Sequence, residues 1–202
     1  MSLLTRLTSV LRTASRSPAV RRGARDLART AVRAARRPST DGAGDAALAE
    51  AAGALRDREP SRPPEIAYAP HEDDRPDPGE VVWAFVPYEE DITRGKDRPV
   101  LVLAREDAST GGSDGSGEVL VALMLTSRDR AASGEVTTDE HGSTWVDIGA
   151  GDSDRQSRPS EVRADRLLRL DPDAVRREGG RLDEQRFTRV AEAVRRVHDR
   201  RD

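Results

Sequence analysis

Apolar residues are scattered thinly up to Pro78 and then gather into short runs. The runs "EVVWAFVPY" (80–88), "PVLVLA" (99–104) and "EVLVALMLT" (118–126) are nearly continuous, as in strands covered on both faces. "STWVDIG" (143–149) alternates like a half-buried strand, and "SEVRADRLLRL" (160–170) supplies a fifth. The Gly-, Ser- and Asp-rich stretch "REDASTGGSDGSGE" between the second and third runs has nothing to pack and predicts a flexible hairpin loop. Two helices are expected to follow. In the first, Asp171 caps, Pro172 sits in the opening turn and Gly179–Gly180 stop it; in the second, Asp183 caps and Phe187, Val190, Ala191, Val194 and Val197 form one apolar face. The pattern predicts a mainly β (α+β) domain with terminal helices, its strands closed into a small barrel because closure removes exposed edges.

The preceding chain reads differently. Residues 1–40 carry ten arginines against one aspartate, a net charge of +9, and 24–37 has the spacing of a weak basic amphipathic helix with a mostly alanine face. This arm, disordered or partly helical, contains no apolar run long enough for a secretion signal or a membrane span, so a cytoplasmic location is expected. Residues 41–77 are acidic and proline-rich and read as a linker, and 78–202 is the folded domain.

Composition removes several chemistries. With no cysteine there is no disulfide, thiolate metal site or Cys nucleophile. His71 lies in the acidic linker, His141 in "TDEHGSTW" and His198 near the chain's end, a scatter that predicts no metal site; His141 is a weak candidate base. Thirty-three of the 34 basic residues are arginine, so arginine count alone says little. Position says more. In "GKDRPVLVLA" (95–104) the single lysine and an arginine crowd against the start of an apolar strand, where Pro99 fixes the backbone.

"PGEVVWAFVPYEEDITRGKDRPVLVLA", the strand ending in "LMLTS" and the following "EVRADRLLRLD" together resemble the PemK/MazF family of type II toxin–antitoxin endoribonucleases. The resemblance covers roughly residues 78–198. It implies an SH3-like, PemK-like barrel, a homodimer, metal-independent cleavage of single-stranded RNA without a cofactor, and inhibition by a cognate antitoxin carrying an acidic segment. Position by position, it implies that Arg98 and Thr126 are catalytic. Lys96, Ser127, Arg128, Gln156, Arg158 and Arg163 are then candidate RNA contacts. The arm is expected to touch nucleic acid or an anionic surface. The sequence departs from the family in its acidic "EEDITRGKD" loop and in a domain that is net negative, although phosphate affinity is chiefly electrostatic. A catalytically weak barrel that binds protein or nucleic acid is the alternative expectation, and an ion pair of Arg98 with Asp97, Glu89 or Glu90 is the structural one.

Overall fold

Strand β1 (Val81–Tyr88) turns through Glu89 and Glu90 into β2 (Asp91–Asp107), the longest element of the protein. The structure, a computed structural model, describes residues 53–60, 62–127, 135–150, 159–176 and 180–199, all within the compact unit 41–202. The basic arm, its 24–37 helix and the start of the acidic segment lie outside the described residues. After β2 come a 3-10 turn (Ala108–Thr110), β3 (Glu118–Thr126), β4 (Val136–Thr138), β5 (Thr144–Ala150), β6 (Pro159–Arg163), β7 (Leu168–Leu170), a second 3-10 turn (Pro172–Ala174) and helix α1 (Glu184–His198).

All pairings are antiparallel, in the order β1-β2-β3-β6-β5-β4, and β7 also pairs with β3. This path does not close, which corrects the expected barrel. The β1 edge that a closing strand would need is taken instead by the chain after the second 3-10 turn. Trp83 and Arg176 exchange backbone hydrogen bonds of 2.7 and 2.8 Å there, and Val81 N–H donates to Gly180 O. An edge occupied in this way is protected without closure. The same contact corrects the predicted helix at 171–179: Asp171 does cap, accepting from Asp173 N–H, but Arg176 is recruited to pair with β1 and only a 3-10 turn forms.

The near-continuous apolar runs have a simple cause: both faces of the sheet are covered. On one side Leu101, Leu103, Val121, Leu123, Leu125, Val146 and Val162 meet Phe187, Val190, Ala191, Ala193 and Val194 of α1. On the other, Val82, Ala84, Val86, Val100, Val102, Leu120, Ala122, Leu168 and Leu170 pack together. Each fully buried Val or Leu contributes roughly 1.5–3 kcal/mol, so neither face is dispensable. Helix α1 starts where expected, with the Asp183 side chain accepting from Arg186 N–H at 2.9 Å.

The described part of the proline-rich segment lies along the domain. Ile66 joins the α1 core, the Tyr68 ring sits 5.3 Å from that of Phe187, and its hydroxyl donates to Leu182 O at 2.8 Å. Gly79, with φ +104°, faces the Tyr68 ring so closely that a Cβ would come within 2.6 Å of it, so only glycine fits. No helix among the described residues is long and apolar enough to cross a membrane.

Candidate nucleic-acid interface

The segment "EEDITRGKD" was expected to form a loop, and most of it is strand. Asp91 steadies its start by accepting from Thr93 N–H (3.0 Å) and Thr93 Oγ1 (2.6 Å). Both bonds hold the Asp91 carboxyl below its ordinary pKa. Gly95 then lets the two strands close up, since a Cβ there would lie 2.4 Å from Val86 O. Beyond an irregularity at Pro87 and Tyr88, the register sets Val86 opposite Lys96, Ala84 opposite Arg98 and Val82 opposite Val100.

Strand alternation therefore puts Lys96 and Arg98 on the same face as Val100. On β3, Val100 is paired with Met124. The ladder ends with that pair; carried two residues further on each strand, its register sets Arg98 across from Thr126, so the two side chains expected to be catalytic occupy neighbouring strands on one face. Thr126 is in turn paired with Glu161 of β6, and Glu161 with Asp147 of β5. A polar row, Arg98, Thr126, Glu161, Asp147, thus crosses four strands where the second apolar core ends. Arg98 and Thr126 are half-buried, while Glu161 and Asp147 are only 4% and 8% exposed.

Two of the carboxylates expected to pair with Arg98 are engaged elsewhere. Asp97 points to the other face and pairs with Arg176. Glu89 reaches across to Arg163, which also binds Asp165 at 2.9 Å. No ion pair or hydrogen bond among the described residues involves the Arg98 guanidinium. Arg163 is its opposite: burial works against its charge, yet the hydrogen bonds it donates to Asp165 and Glu89 raise its pKa above the ordinary arginine value.

The remaining expected contacts divide plainly. Lys96 and Ser127 are exposed beside Arg98 and Thr126 respectively, whereas Arg128, Gln156 and Arg158 lie outside the described residues. The histidines have contacts of their own. His71 is tied to Asp77 through Nδ1 (3.1 Å), His141 stands on the β4–β5 turn beside Glu140, and His198 donates from Nε2 to Ala164 O at 3.1 Å. Among the described residues no group of His, Asp and Glu is arranged to hold a metal ion.

Sequence reasoning missed Glu161 and Tyr88. Only the β3–β6 register brings Glu161 to Thr126. Tyr88 gave a faint signal, lying at the end of an apolar run before "RGKDR", whose cations alternate with Gly95 and Asp97.

Residues 77–198 match the family described as "PemK-like, MazF-like toxin of type II toxin-antitoxin system". Among solved structures, the chain is similar to MazF from Deinococcus radiodurans (form I), with 24% identity and a TM-score of 0.39 over 62% of this chain and 97% of that one. It is also similar to a MazE-MazF structure (form II) from the same organism, with 23% identity and a TM-score of 0.35 over 62% of this chain and 96% of that one. No curated protein matches the chain.

Proposed function

The chain belongs to the PemK-like, MazF-like family of type II toxins, and from that premise we propose that it is a metal-independent endoribonuclease acting on single-stranded RNA. The observation that carries this reading is the half-buried Arg98, without a carboxylate partner among the described residues, on the strand next to that of Thr126. A half-buried cation left unneutralised suits a developing phosphorane charge.

In this reading the RNA's own 2′-oxygen attacks the adjacent phosphorus. The O2′–P bond forms, the P–O5′ bond breaks, the 2′-hydroxyl proton passes to a base, and O5′ takes up a proton as it leaves. Arg98 donates to the non-bridging oxygens. Its guanidinium stays charged and does not serve as the base. Thr126 orients the phosphate or the 2′-hydroxyl by hydrogen bonding. The proton goes to a carboxylate, and Glu161 is the one in register with Thr126. Lys96 and Ser127 extend the phosphate contacts, as does Arg163 once RNA displaces Glu89. Arg128, Gln156 and Arg158 complete the expected set.

A cognate antitoxin with an acidic segment is the proposed inhibitor, matched in charge to the Arg94–Lys96–Arg98 side of β2. A homodimer in the cytoplasm is the proposed working form, with 1–40 as a basic arm for nucleic acid or an anionic surface and 41–77 joining it to the domain.

The test is incubation of the full chain with mixed single-stranded RNA in EDTA. Cleavage is expected, and Arg98→Ala and Thr126→Ala should each abolish most of it while remaining folded. Binding without cleavage would favour the alternative of a nucleic-acid-binding module.

A further inference from the structure

We propose that the Tyr88 ring, flanked by Arg94 and Lys96, is a stacking platform for an unpaired base of the nucleic acid whose phosphate sits at Arg98; the choice of ligand rests on the RNA reading above. The Arg94 guanidinium carbon lies 5.8 Å from the ring centroid and Lys96 Nζ 6.0 Å from it. Tyr88 is half-buried and belongs to neither apolar core, so its ring does not serve as packing for the sheet. Arg94 and Lys96 are exposed, and no ion pair among the described residues involves either.

The ring's mounting is firm. The preceding residue, Pro87, has its carbonyl held by Arg166 Nη2 at 2.9 Å, and the Arg166 side chain, only 9% exposed, is itself anchored to Asp57 at 2.6 Å. On the other side of the turn Asp91 is fixed by its two bonds to Thr93. An aromatic ring held still at low entropic cost suits stacking.

The placement selects the ligand. Lys96 is two residues from Arg98 on the same face, a separation of about 6.6–6.8 Å along a strand. One extended nucleotide strand can therefore set a phosphate at Arg98, engage Lys96 and lay the neighbouring base on Tyr88. Bases in duplex are already stacked and present no free face to such a ring, so the site favours single strands, as aromatic platforms beside basic grooves do. The two cations lie beside the ring's electron-rich face while it is empty. A base takes their place at the ring, and both cations become available to flanking phosphates.

The experiment measures binding of the full chain to a short 2′-O-methyl single-stranded oligonucleotide of mixed sequence, which lacks the attacking hydroxyl, so that binding is read apart from cleavage. The comparison is wild type against Tyr88→Ala, Tyr88→Phe and Tyr88→Leu at several salt concentrations. Alanine is expected to weaken binding about five- to a hundred-fold, phenylalanine to restore it, and leucine not to. The salt slope should stay the same in all three, because no phosphate contact is removed. Wild-type affinity in Tyr88→Ala would overturn the platform, as would equal rescue by leucine and phenylalanine. Tyr88-dependent binding by a protein that cleaves no RNA would uphold the platform and sink the nuclease reading. Cleavage with binding indifferent to Tyr88 would do the reverse.

Discussion

The two ends of β2 are both rich in charge, yet they handle it in opposite ways. At the far end, Arg105 binds Asp77 at 2.7 Å and Pro76 O at 2.7 Å, and Glu106 receives Arg58 Nε at 2.9 Å. Both of these charges are matched by one from the segment that precedes the domain. At the near end, Arg94, Lys96 and Arg98 share one face of the strand and none has an ion pair among the described residues, while Asp97, between them in sequence, faces away to Arg176. Matched charge holds the chain together. Unmatched charge on a strand is available to a ligand, and the difference sets the near-end arginines apart in a chain where arginine is everywhere.

The comparison can be broken from either end. The largest effect is expected at the matched end. The Arg58 and Glu106 side chains are 1% and 10% exposed, so Arg58→Ala leaves a carboxylate with little water and no cation. A loss of about 3–5 kcal/mol is expected in urea unfolding, with cleavage per folded molecule unchanged. A neutral result there would mean that the matched charges are ornamental.

Next comes Glu161→Gln, which keeps the shape and removes the proton acceptor. A roughly hundred-fold or greater drop in turnover is expected, with the acid limb of the pH–rate profile abolished and KM little changed. If Glu161 only positions its neighbours, the limb should survive. Lys96→Ala should act more mildly, reducing the log–log salt dependence of RNA binding by about 0.7 and leaving turnover at saturating RNA intact.

The smallest effect is electrostatic and structural. Burial works against the Asp114 carboxylate, but the Arg56 backbone N–H and the Arg169 guanidinium outweigh it and hold its pKa below the ordinary value of 3.8. A carboxyl depressed by folding stabilises above its unfolded pKa and loses that contribution as pH falls through the folded one. Stability from this group should therefore be flat from neutral pH down to about 4 and fall below that. Asp114→Asn should flatten the acid side, as followed by thermal melts across pH.

How much of this was legible follows from what local sequence encodes. The strands around Val82, Leu101 and Leu123 announced themselves because covering both faces leaves an uninterrupted apolar run, and α1 because Asp183 and the Phe187–Val194 spacing are local signals. The start of β2 was hidden. Gly95, Lys96 and Asp97 are poor strand formers, and pairing with β1 overrides that preference. The helix expected after Asp171 failed for the same reason, because Arg176 pairs with Trp83. The expected strand at 160–170 became two, β6 and β7, which pair with successive parts of β3. Arg98 and Thr126 were singled out by resemblance, but the arrangement around them was not, since Glu89 finds Arg163 across 74 residues of chain. Register and long-range ion pairing set the polar row, and neither is written in a single stretch of sequence.

The central claim, that the RNA's own 2′-hydroxyl attacks a phosphate held by an unmatched Arg98, is tested most directly by end-group analysis of the products in EDTA. Wild-type protein should leave a 2′,3′-cyclic phosphate on the upstream fragment and a 5′-hydroxyl on the downstream one. A single 2′-deoxy substitution at the mapped cleavage site should block the cut, and Arg98→Ala should lower the rate by about a hundred- to a thousand-fold. A 5′-phosphate product, or cleavage that continues through the deoxy substitution, would contradict the account.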